Sequence, residues 1–263
     1  MSKLSEKKLF LLDMDGTIYL DNNLFDGTID FLQKVRKNGG RYVFVTNNSS
    51  KSVEDYVQKL KRIGIDCSAD DFLTSTDATV IYLCEHHKNK KVYAMGTQSF
   101  VSQLRNSGID VYTDLCDGID VLVISNDTEL TFKKLEDATI LLGRGVKYIA
   151  TNPDWVCPTS FGFVPDCGSF AEMLYRASGR KPKFIGKPEP EMLLLAMKKL
   201  GYNKEETVMV GDRVYTDIAS GYNAGVDTVF VLSGEGTMED AVNTETKPTY
   251  IMKNIRELFE NLE

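Results

Sequence analysis

Acidic side chains directly follow apolar runs near both ends of this chain. In the stretch FLLDMDGTIYL, residues 10–20, Asp13 and Asp15 end such a run and lead into Gly16 and Thr17. Aspartate is a poor strand former, and its carboxylate is costly to bury without a partner. Two aspartates at the end of a predicted buried strand therefore indicate a chemical role.

Other polar groups stand in the same position behind predicted strands. The run RYVFV leads into the segment TNNSS at 46–50, the run TVMVG leads into Asp212 and Asp217, and Lys187 follows KPKFIG. In an open parallel sheet, ligands bind beyond the carboxyl ends of the strands. If adjacent strands bring these groups together, one crevice holds the aspartates, a threonine hydroxyl, several amides and a lysine.

The charges of such a crevice predict a bound cation. Two carboxylates about 4 Å apart repel by roughly 4 kcal/mol at an effective dielectric constant of about 20. Lys187 supplies one compensating charge, and a divalent cation supplies the rest. Oxygen ligands without histidine or thiolate favour Mg²⁺. Mg²⁺ beside a lysine, a hydroxyl and amide donors suits the binding of a phosphoryl group.

The residues also indicate which group attacks phosphorus. The chain has two histidines, His86 and His87, on a polar helix end, so a Ser–His or Cys–His arrangement is not supported. A carboxylate can attack phosphorus directly and form an aspartyl-phosphate. We therefore expect Asp13 to be the nucleophile and a Mg²⁺ ligand. Asp15 would protonate the leaving oxygen and then deprotonate the water that releases phosphate.

Alternating strands and helices must position these groups. Apolar runs that predict buried strands, such as KLFLLDM, KKVYAMG and TVFVLSG, alternate with amphipathic helical segments along the 263 residues. This alternation predicts an α/β fold with a Rossmann-like, doubly wound parallel sheet. We expect a core domain of residues 1–79 and 182–263, with a second α/β unit inserted at 80–181. Residues 153–169, rich in Pro, Gly and aromatics, are predicted to be irregular.

Composition excludes several function classes. The net charge of −7 argues against nucleic-acid and anionic-membrane partners. The five cysteines are odd in number and lack C-x-x-C spacing, which favours reduced thiols in a cytoplasmic protein. No signal peptide and no apolar run near the roughly 20 residues of a membrane span is expected. The composition leaves a homo-oligomer open.

Four motifs resemble, in their order, those of the haloacid dehalogenase (HAD) superfamily. They are Asp13-x-Asp15-Gly-Thr, Thr46-Asn47-Asn48-Ser49, Gly186-Lys187-Pro188 and Gly211-Asp212-x-x-x-Thr216-Asp217. The segments VFVTNNSSKS, IATNPD, IGKPEPEM and VMVGDRVYTDI are more specific and resemble the NagD/p-nitrophenylphosphatase-like branch. That branch carries a large α/β cap between the second and third motifs, in agreement with the predicted insertion.

The resemblance implies a role for each motif residue. Thr46 and Asn47 would bind the transferring phosphoryl oxygens, with Asn48 beside them as a further substrate-binding candidate. Lys187 would steady both the phosphoryl group and the nucleophile. The resemblance also implies the ligands of Mg²⁺ in the core: the Asp13 side chain, the Asp15 main-chain carbonyl and the Asp212 side chain. Asp217 would lie outside this ligand set and orient a metal-bound water or Lys187.

The predicted cap supplies the specificity candidates. In the family, the loop after the T-N-x-D element faces the active site and helps to choose the leaving group. Residues 154–158 are the equivalent segment here, and Asp154, Trp155 and Cys157 are its substrate-binding candidates. Packing of the cap by Trp155, and a buried structural role for Cys157, are the competing interpretations.

The motifs together predict a Mg²⁺-dependent phosphomonoester hydrolase. Asp15 supports this reaction class, because the family's dehalogenases lack an aspartate at that position. Sugar phosphates, nucleoside monophosphates, phosphoglycolate and pyridoxal phosphate are the expected kinds of small-molecule substrate. The alternatives are a phosphotransferase or mutase of the same superfamily and a receiver-like signalling module that accepts a phosphoryl group.

Overall fold

Two parallel β-sheets organise the protein in a computed structural model that describes residues 3–159 and 161–262. The predicted α/β fold with a parallel central sheet is confirmed. The first sheet has the strand order β5-β4-β1-β13-β14-β15, with every neighbouring pair parallel. Its strands are β1 Leu9–Leu12, β4 Arg41–Thr46, β5 Phe72–Thr74, β13 Thr207–Gly211, β14 Asp227–Val231 and β15 Tyr250–Met252.

The second sheet is built from the middle of the chain. Its order is β7-β6-β8-β9-β12, again with parallel neighbours. The strands are β6 Lys91–Met95, β7 Asp110–Tyr112, β8 Val121–Ile124, β9 Lys147–Ala150 and β12 Lys183–Phe184. Two antiparallel hairpins lie outside the sheets: β2 Tyr19–Leu20 with β3 Asn23–Leu24, and β10 Val156–Thr159 with β11 Gly162–Pro165.

Ten α-helices are found among the described residues. They are α1 Thr28–Lys37, α2 Val53–Arg62, α3 Ser75–His86, α4 Gln98–Asn106, α5 Phe132–Gly143, α6 Cys167–Ser178, α7 Glu191–Leu200, α8 Ala219–Ala224, α9 Met238–Asn243 and α10 Ile255–Glu260. Side chains stabilise several helix starts, because Ser52 caps α2 and Thr74 caps α3, each paired with an aspartate three residues on. Across residues 3–159 and 161–262, no helix has the length and apolarity to cross a membrane.

The strands of the first sheet alternate between two apolar layers. Phe10 and Leu12 pack into one core cluster, while Leu9 and Leu11 face the opposite one. Both faces are therefore covered, which explains why these strands are apolar without interruption. The second cluster also contains Val92, Val121 and other side chains of the second sheet. The two sheets thus share one apolar core.

Two expectations about local structure are wrong. The segment at 153–169 is not irregular throughout, because β10 and β11 pair within it and α6 already starts at Cys167. The strand before Lys187 was expected to belong to the core sheet, but β12 pairs with β9 of the second sheet. Apolar pattern alone does not show which sheet a two-residue strand joins. The division of the chain at residues 80 and 182 stays a prediction, and Met1, Ser2, Ser160 and Glu263 lie outside the described residues.

Candidate active site

The first acidic pair lies at the point where the strand order of the first sheet reverses. From β1 the chain continues on one side to β4 and β5, and later returns on the other side to β13. A crevice forms beyond the carboxyl ends of the strands at such a point. Asp13 directly follows β1, and its N–H donates a hydrogen bond to Val210 O at 2.9 Å. The nucleophile predicted from sequence therefore lies at the switch point.

A turn with a left-handed residue carries the chain away from the sheet after Asp15. Gly16 has φ +91°, and a Cβ at this position would collide with the Asp212 carboxylate. Glycine is therefore required here for both its conformation and its small volume. The Gly16 carbonyl accepts a hydrogen bond from Ser233 Oγ at 2.8 Å, which fixes the turn against the loop after β14.

Lys187 connects two of the aspartates. Its Nζ donates hydrogen bonds of 2.6 Å to Oδ1 of Asp13 and 2.6 Å to Oδ1 of Asp217, and a third of 3.0 Å to Val45 O. Burial lowers the pKa of Lys187, but the carboxylates of Asp13 and Asp217 raise it by more, so the net shift is upward. The ammonium group stays charged and holds Asp13 in place.

Three carboxylates surround this single ammonium group. One oxygen from each of Asp13, Asp212 and Asp217 lies within 4.8 Å of the others. Burial raises the pKa of Asp212 well above its usual range, and the charges of Asp13 and Asp217 raise it further. The cluster therefore has excess negative charge and only oxygen donors, which fits a hard divalent cation such as Mg²⁺.

Asp217 contributes to this site from a distorted helical turn. Residues 214–218 form a π-helical turn before α8, a conformation that often marks functional sites. Oδ1 of Asp217 accepts from Lys187, and Oδ2 accepts from the Arg213 N–H at 3.0 Å. Both oxygens are thus engaged with protein donors, so Asp217 is suited to orienting Lys187.

The Asn47 side chain connects two loops of the site. Its Oδ1 accepts from the Lys187 N–H at 2.8 Å, and its Nδ2 donates to Lys187 O at 2.9 Å and to Asp154 Oδ1 at 3.0 Å. The side chain is buried and fully used in holding the Lys187 loop to the Asp154 loop.

The segment 46–50 also joins the two sheets. Ser49 Oγ lies 2.8 Å from Thr151 Oγ1 and accepts from the Asn126 N–H at 3.0 Å, while Thr97 Oγ1 donates to Ser50 O at 3.0 Å. Thr97, Asn126 and Thr151 all follow strands of the second sheet, so the strand ends of both sheets face one another across this segment.

Asp15 also lines the crevice and has partners other than Lys187. Its Oδ2 accepts from Tyr19 Oη at 3.2 Å, and its Oδ1 lies 3.7 Å from Lys59 Nζ. The same ammonium group lies 3.8 Å from the centre of the Tyr19 ring. Tyr19 and Lys59, which the sequence did not reveal as site residues, therefore orient the Asp15 carboxyl group.

A narrow cavity of about 30 Å³ opens between the two sheets. Its first-sheet side is formed mainly by the predicted residues Asp13, Asp15, Thr46, Asn47, Asn48 and Lys187. That volume holds about two water molecules. A larger groove of about 770 Å³ lies between α2, α3, α4 and α7, but no residue of the four motifs lines it. Cavity volume alone would therefore not lead to the cavity that the motif residues line.

The loop after β9, the strand β10 and the residue before α6 form the opposite wall of the cavity. Asp154, Cys157 and Pro158 line it, as does Asp166, the residue that precedes α6. Burial raises the pKa of the Cys157 thiol to about 12, so the thiol stays neutral and contacts Asn48 Nδ2 at 3.8 Å. The Trp155 side chain is 53% exposed and does not line the cavity.

Comparison with known proteins gives the family. Residues 10–110 match the family described as Haloacid dehalogenase-like hydrolase, and residues 184–258 match a second HAD-hydrolase-like family. Acid sugar phosphatase from Staphylococcus aureus is 36% identical to the chain, over 99% of this chain and 100% of its own length. This chain belongs to the haloacid dehalogenase-like hydrolases.

Solved structures identify the branch of the HAD family. The 4-nitrophenylphosphatase from Thermotoga maritima superposes with a TM-score of 0.93 at 38% identity, over 100% of both chains. A glycerol phosphate phosphatase from Mycobacterium tuberculosis, solved in complex with magnesium, gives a TM-score of 0.91 at 29% identity, over 98% of this chain and 78% of its own. The predicted resemblance to the NagD/p-nitrophenylphosphatase branch and the predicted phosphatase class are confirmed.

Two charged residues that line the cavity of this HAD chain were not predicted from the sequence. Arg213 Nη1 lies 3.1 Å from Asp154 Oδ2, and its Nε lies 2.8 Å from Glu235 Oε2. The other residue, Asp166, is almost fully buried in the cavity wall. Arg213 stands next to the motif residue Asp212, which is the only signal in the sequence. Without knowledge of the tertiary contacts, an arginine or aspartate in a loop is expected to be exposed to solvent.

Proposed function

We propose that this chain is a Mg²⁺-dependent phosphomonoester hydrolase that works through an aspartyl-phosphate on Asp13. The observation that carries this proposal is the position of Asp13, held by Lys187 at 2.6 Å beside two further buried carboxylates, with Asp15 lining the same cavity. A carboxylate fixed at a strand end is placed to attack a phosphoryl group bound in the cavity.

In the first step, an oxygen of Asp13 forms a bond to phosphorus while the bond to the leaving oxygen breaks. Asp15 donates its proton to that oxygen, and the alcohol departs. In the second step, Asp15 removes a proton from a water molecule that attacks the phosphorus. The bond to Asp13 then breaks, and phosphate leaves. Tyr19 and Lys59 keep the Asp15 carboxyl group oriented through both steps.

The phosphoryl oxygens would be bound by three groups in the cavity wall. The Thr46 hydroxyl, the Asn47 main-chain N–H and the Lys187 ammonium surround the space in front of Asp13. Asn47 contributes a second effect, because its side chain fixes the main chain on both sides of Lys187. Preorganised donors of this kind stabilise charge that develops during transfer.

Side chains of Asp13 and Asp212, with the main-chain carbonyl of Asp15, would hold the metal ion. When bound, Mg²⁺ neutralises the carboxylate cluster and the charge on the transferring phosphoryl group. The relative from Mycobacterium tuberculosis that was solved with magnesium supports this choice of ion. Asp217 would orient Lys187, because its Oδ1 accepts from Lys187 Nζ and its Oδ2 accepts from the Arg213 N–H.

The second α/β unit would act as a cap over small phosphorylated metabolites. A cavity of about 30 Å³ is too small for a phosphate ester, so the wall formed by Asp154 and Cys157 must withdraw for substrate to enter. Sugar phosphates are the substrates named for the curated relative, and nucleoside monophosphates remain candidates by the same chemistry. The acidic composition and the five cysteines, which are free thiols, support a cytoplasmic protein without nucleic-acid partners.

Turnover of p-nitrophenyl phosphate by the wild type and by Asp13→Asn tests the proposal. The wild type should release phosphate with Mg²⁺ and no added acceptor, whereas a phosphotransferase would need the acceptor and a signalling receiver would not turn over. Asp13→Asn should lose activity and keep its circular dichroism spectrum. Activity retained by Asp13→Asn would refute the nucleophile, and activity retained in excess EDTA would refute the metal.

A further inference from the structure

Both cations that line the cavity are already engaged by carboxylates. Lys187 lies between Asp13 and Asp217, each at 2.6 Å. Arg213 lies between Asp154 at 3.1 Å and Glu235 at 2.8 Å. Among the described residues that line this cavity, no other lysine or arginine occurs. An anionic group on the substrate, apart from the phosphoryl group itself, would therefore meet no unpaired protein cation.

The wall contributed by the second sheet carries a further carboxyl group. Asp166 is 2% exposed, lines the cavity, and caps α6 through a hydrogen bond from the Cys167 N–H to its Oδ1. Burial raises its pKa to about 7, with the neighbouring charge of Asp154 as the next cause. At a pH above that value the Asp166 carboxyl group is ionised, and a second anion placed beside it meets like charge.

This wall is where the leaving group must lie. Asp13 attacks phosphorus from the first sheet, and the leaving oxygen departs on the opposite side of the phosphorus, toward Asp15 and the second sheet. Asp154, Cys157, Pro158 and Asp166 form that side of the cavity. Their chemistry consists of two carboxyl groups, a neutral thiol and an apolar ring, which together can accept hydrogen bonds from hydroxyl groups.

We propose that Asp166, assisted by Asp154, makes the enzyme select phosphate esters of uncharged hydroxyl compounds and reject esters that carry a second anion. The inference rests on the proposed phosphatase function and specifies its substrate class. A hydroxyl group of the leaving alcohol donates a hydrogen bond to a buried carboxyl oxygen. A carboxylate or second phosphate in the same place faces like charge in a site of low dielectric, which costs affinity.

A matched pair of substrates tests the inference on the Mg²⁺-loaded full-length protein. 2-Hydroxyethyl phosphate and phosphoglycolate have the same chain length and differ in a hydroxymethyl group against a carboxylate. At a pH well above 7, where Asp166 is ionised, we expect kcat/KM of the wild type to favour the neutral ester by at least about tenfold. In Asp166→Asn, which keeps an oxygen to cap α6, this ratio should fall by about fivefold or more. The exposed Asp114→Asn removes the same charge outside the cavity and should leave the ratio unchanged.

The ratio is measured within one protein sample and so does not depend on the fraction that is folded. Asp166→Ser, also a good helix cap, provides a second variant if the asparagine substitution lowers expression. A wild-type kcat/KM ratio near one for the two esters, or an unchanged ratio in the Asp166 variants, would overturn the inference. In that case turnover of p-nitrophenyl phosphate would still support the proposed function. Loss of turnover of every ester by folded wild type would overturn both.

Discussion

Replacing Lys187 with methionine tests the electrostatic basis of the site. The substitution removes both 2.6 Å hydrogen bonds, to Asp13 and to Asp217, from a side chain that is almost fully buried. Methionine keeps an unbranched chain of comparable length, so it disturbs the packing less than alanine would. The main consequence is that three neighbouring carboxylates lose the ammonium group that neutralises part of their charge.

The expected size of the effect follows from the geometry. The carboxylate oxygens of Asp13, Asp212 and Asp217 lie within 4.8 Å of one another. Two like charges at about that separation repel by roughly 3 kcal/mol at an effective dielectric constant near 20. Removing one partner of a buried ion pair costs about 3–5 kcal/mol. We therefore expect the free energy of unfolding of Lys187→Met to fall by about 4 kcal/mol in EDTA.

Urea denaturation followed by circular dichroism, with EDTA or with excess Mg²⁺, measures this effect. Mg²⁺ binds the native cluster and not the unfolded chain, so at a hundred times its dissociation constant it should restore about 2.7 kcal/mol. Lys134→Met is a matched control, because Lys134 pairs with the buried Asp127 at 2.8 Å but lies outside the cluster. That variant should lose stability to the same extent in EDTA and in Mg²⁺. A Lys187→Met protein as stable as wild type in EDTA, or one that Mg²⁺ does not stabilise, would refute the reasoning.

Asp15→Asn should lower kcat for alkyl phosphates by about 10²–10⁴-fold. The loss of kcat should be smaller for p-nitrophenyl phosphate, because its leaving group needs less protonation. Equal losses for both substrates in steady-state kinetics would contradict the role assigned to Asp15. Gly16→Ala should destabilise the protein in thermal unfolding more than Gly64→Ala, since both glycines have positive φ but only at Gly16 does an added Cβ collide, with Asp212. Because burial, and then Asp154, raises the pKa of Asp166 from 3.8 to about 7, this group lowers the free energy of unfolding as the pH rises from about 4 to about 7. Over that pH range the free energy of unfolding of Asp166→Asn should fall less than that of the wild type, by on the order of 3 kcal/mol. Parallel profiles of unfolding free energy against pH for the two proteins, measured by urea denaturation, would contradict the raised pKa of Asp166.

Local features of the sequence predicted most of the fold. Continuous apolar runs gave β1, β4 and β13, because a strand covered on both faces needs apolar side chains at every position. The polar residues behind those runs were correctly expected to meet, since parallel strands present their carboxyl ends at one edge. Asp13, Asp15 and Lys187 accordingly line one cavity, with Asp212 and Asp217 in the carboxylate cluster beside it.

Other predictions failed where the outcome depends on distant residues. Nothing local shows that β12 pairs with β9 rather than with the first sheet. The hairpin of β10 and β11 is short and only partly buried, so its apolar pattern is weak. The contacts of the Asn47 side chain with Lys187 and Asp154 likewise could not be predicted, because those residues lie far away in the sequence.

The sequence by itself predicted the reaction class, because the residue types and their order behind predicted strands indicate a carboxylate nucleophile, an acid/base and a cation site. Only the tertiary structure decided which charges neutralise one another. Arg213 and Asp166 became site residues when folding placed Arg213 against Asp154 and buried Asp166 in the cavity wall. The physical reason is that secondary structure follows from short-range periodicity, whereas the energy of a buried charge depends on every group brought within a few ångströms of it.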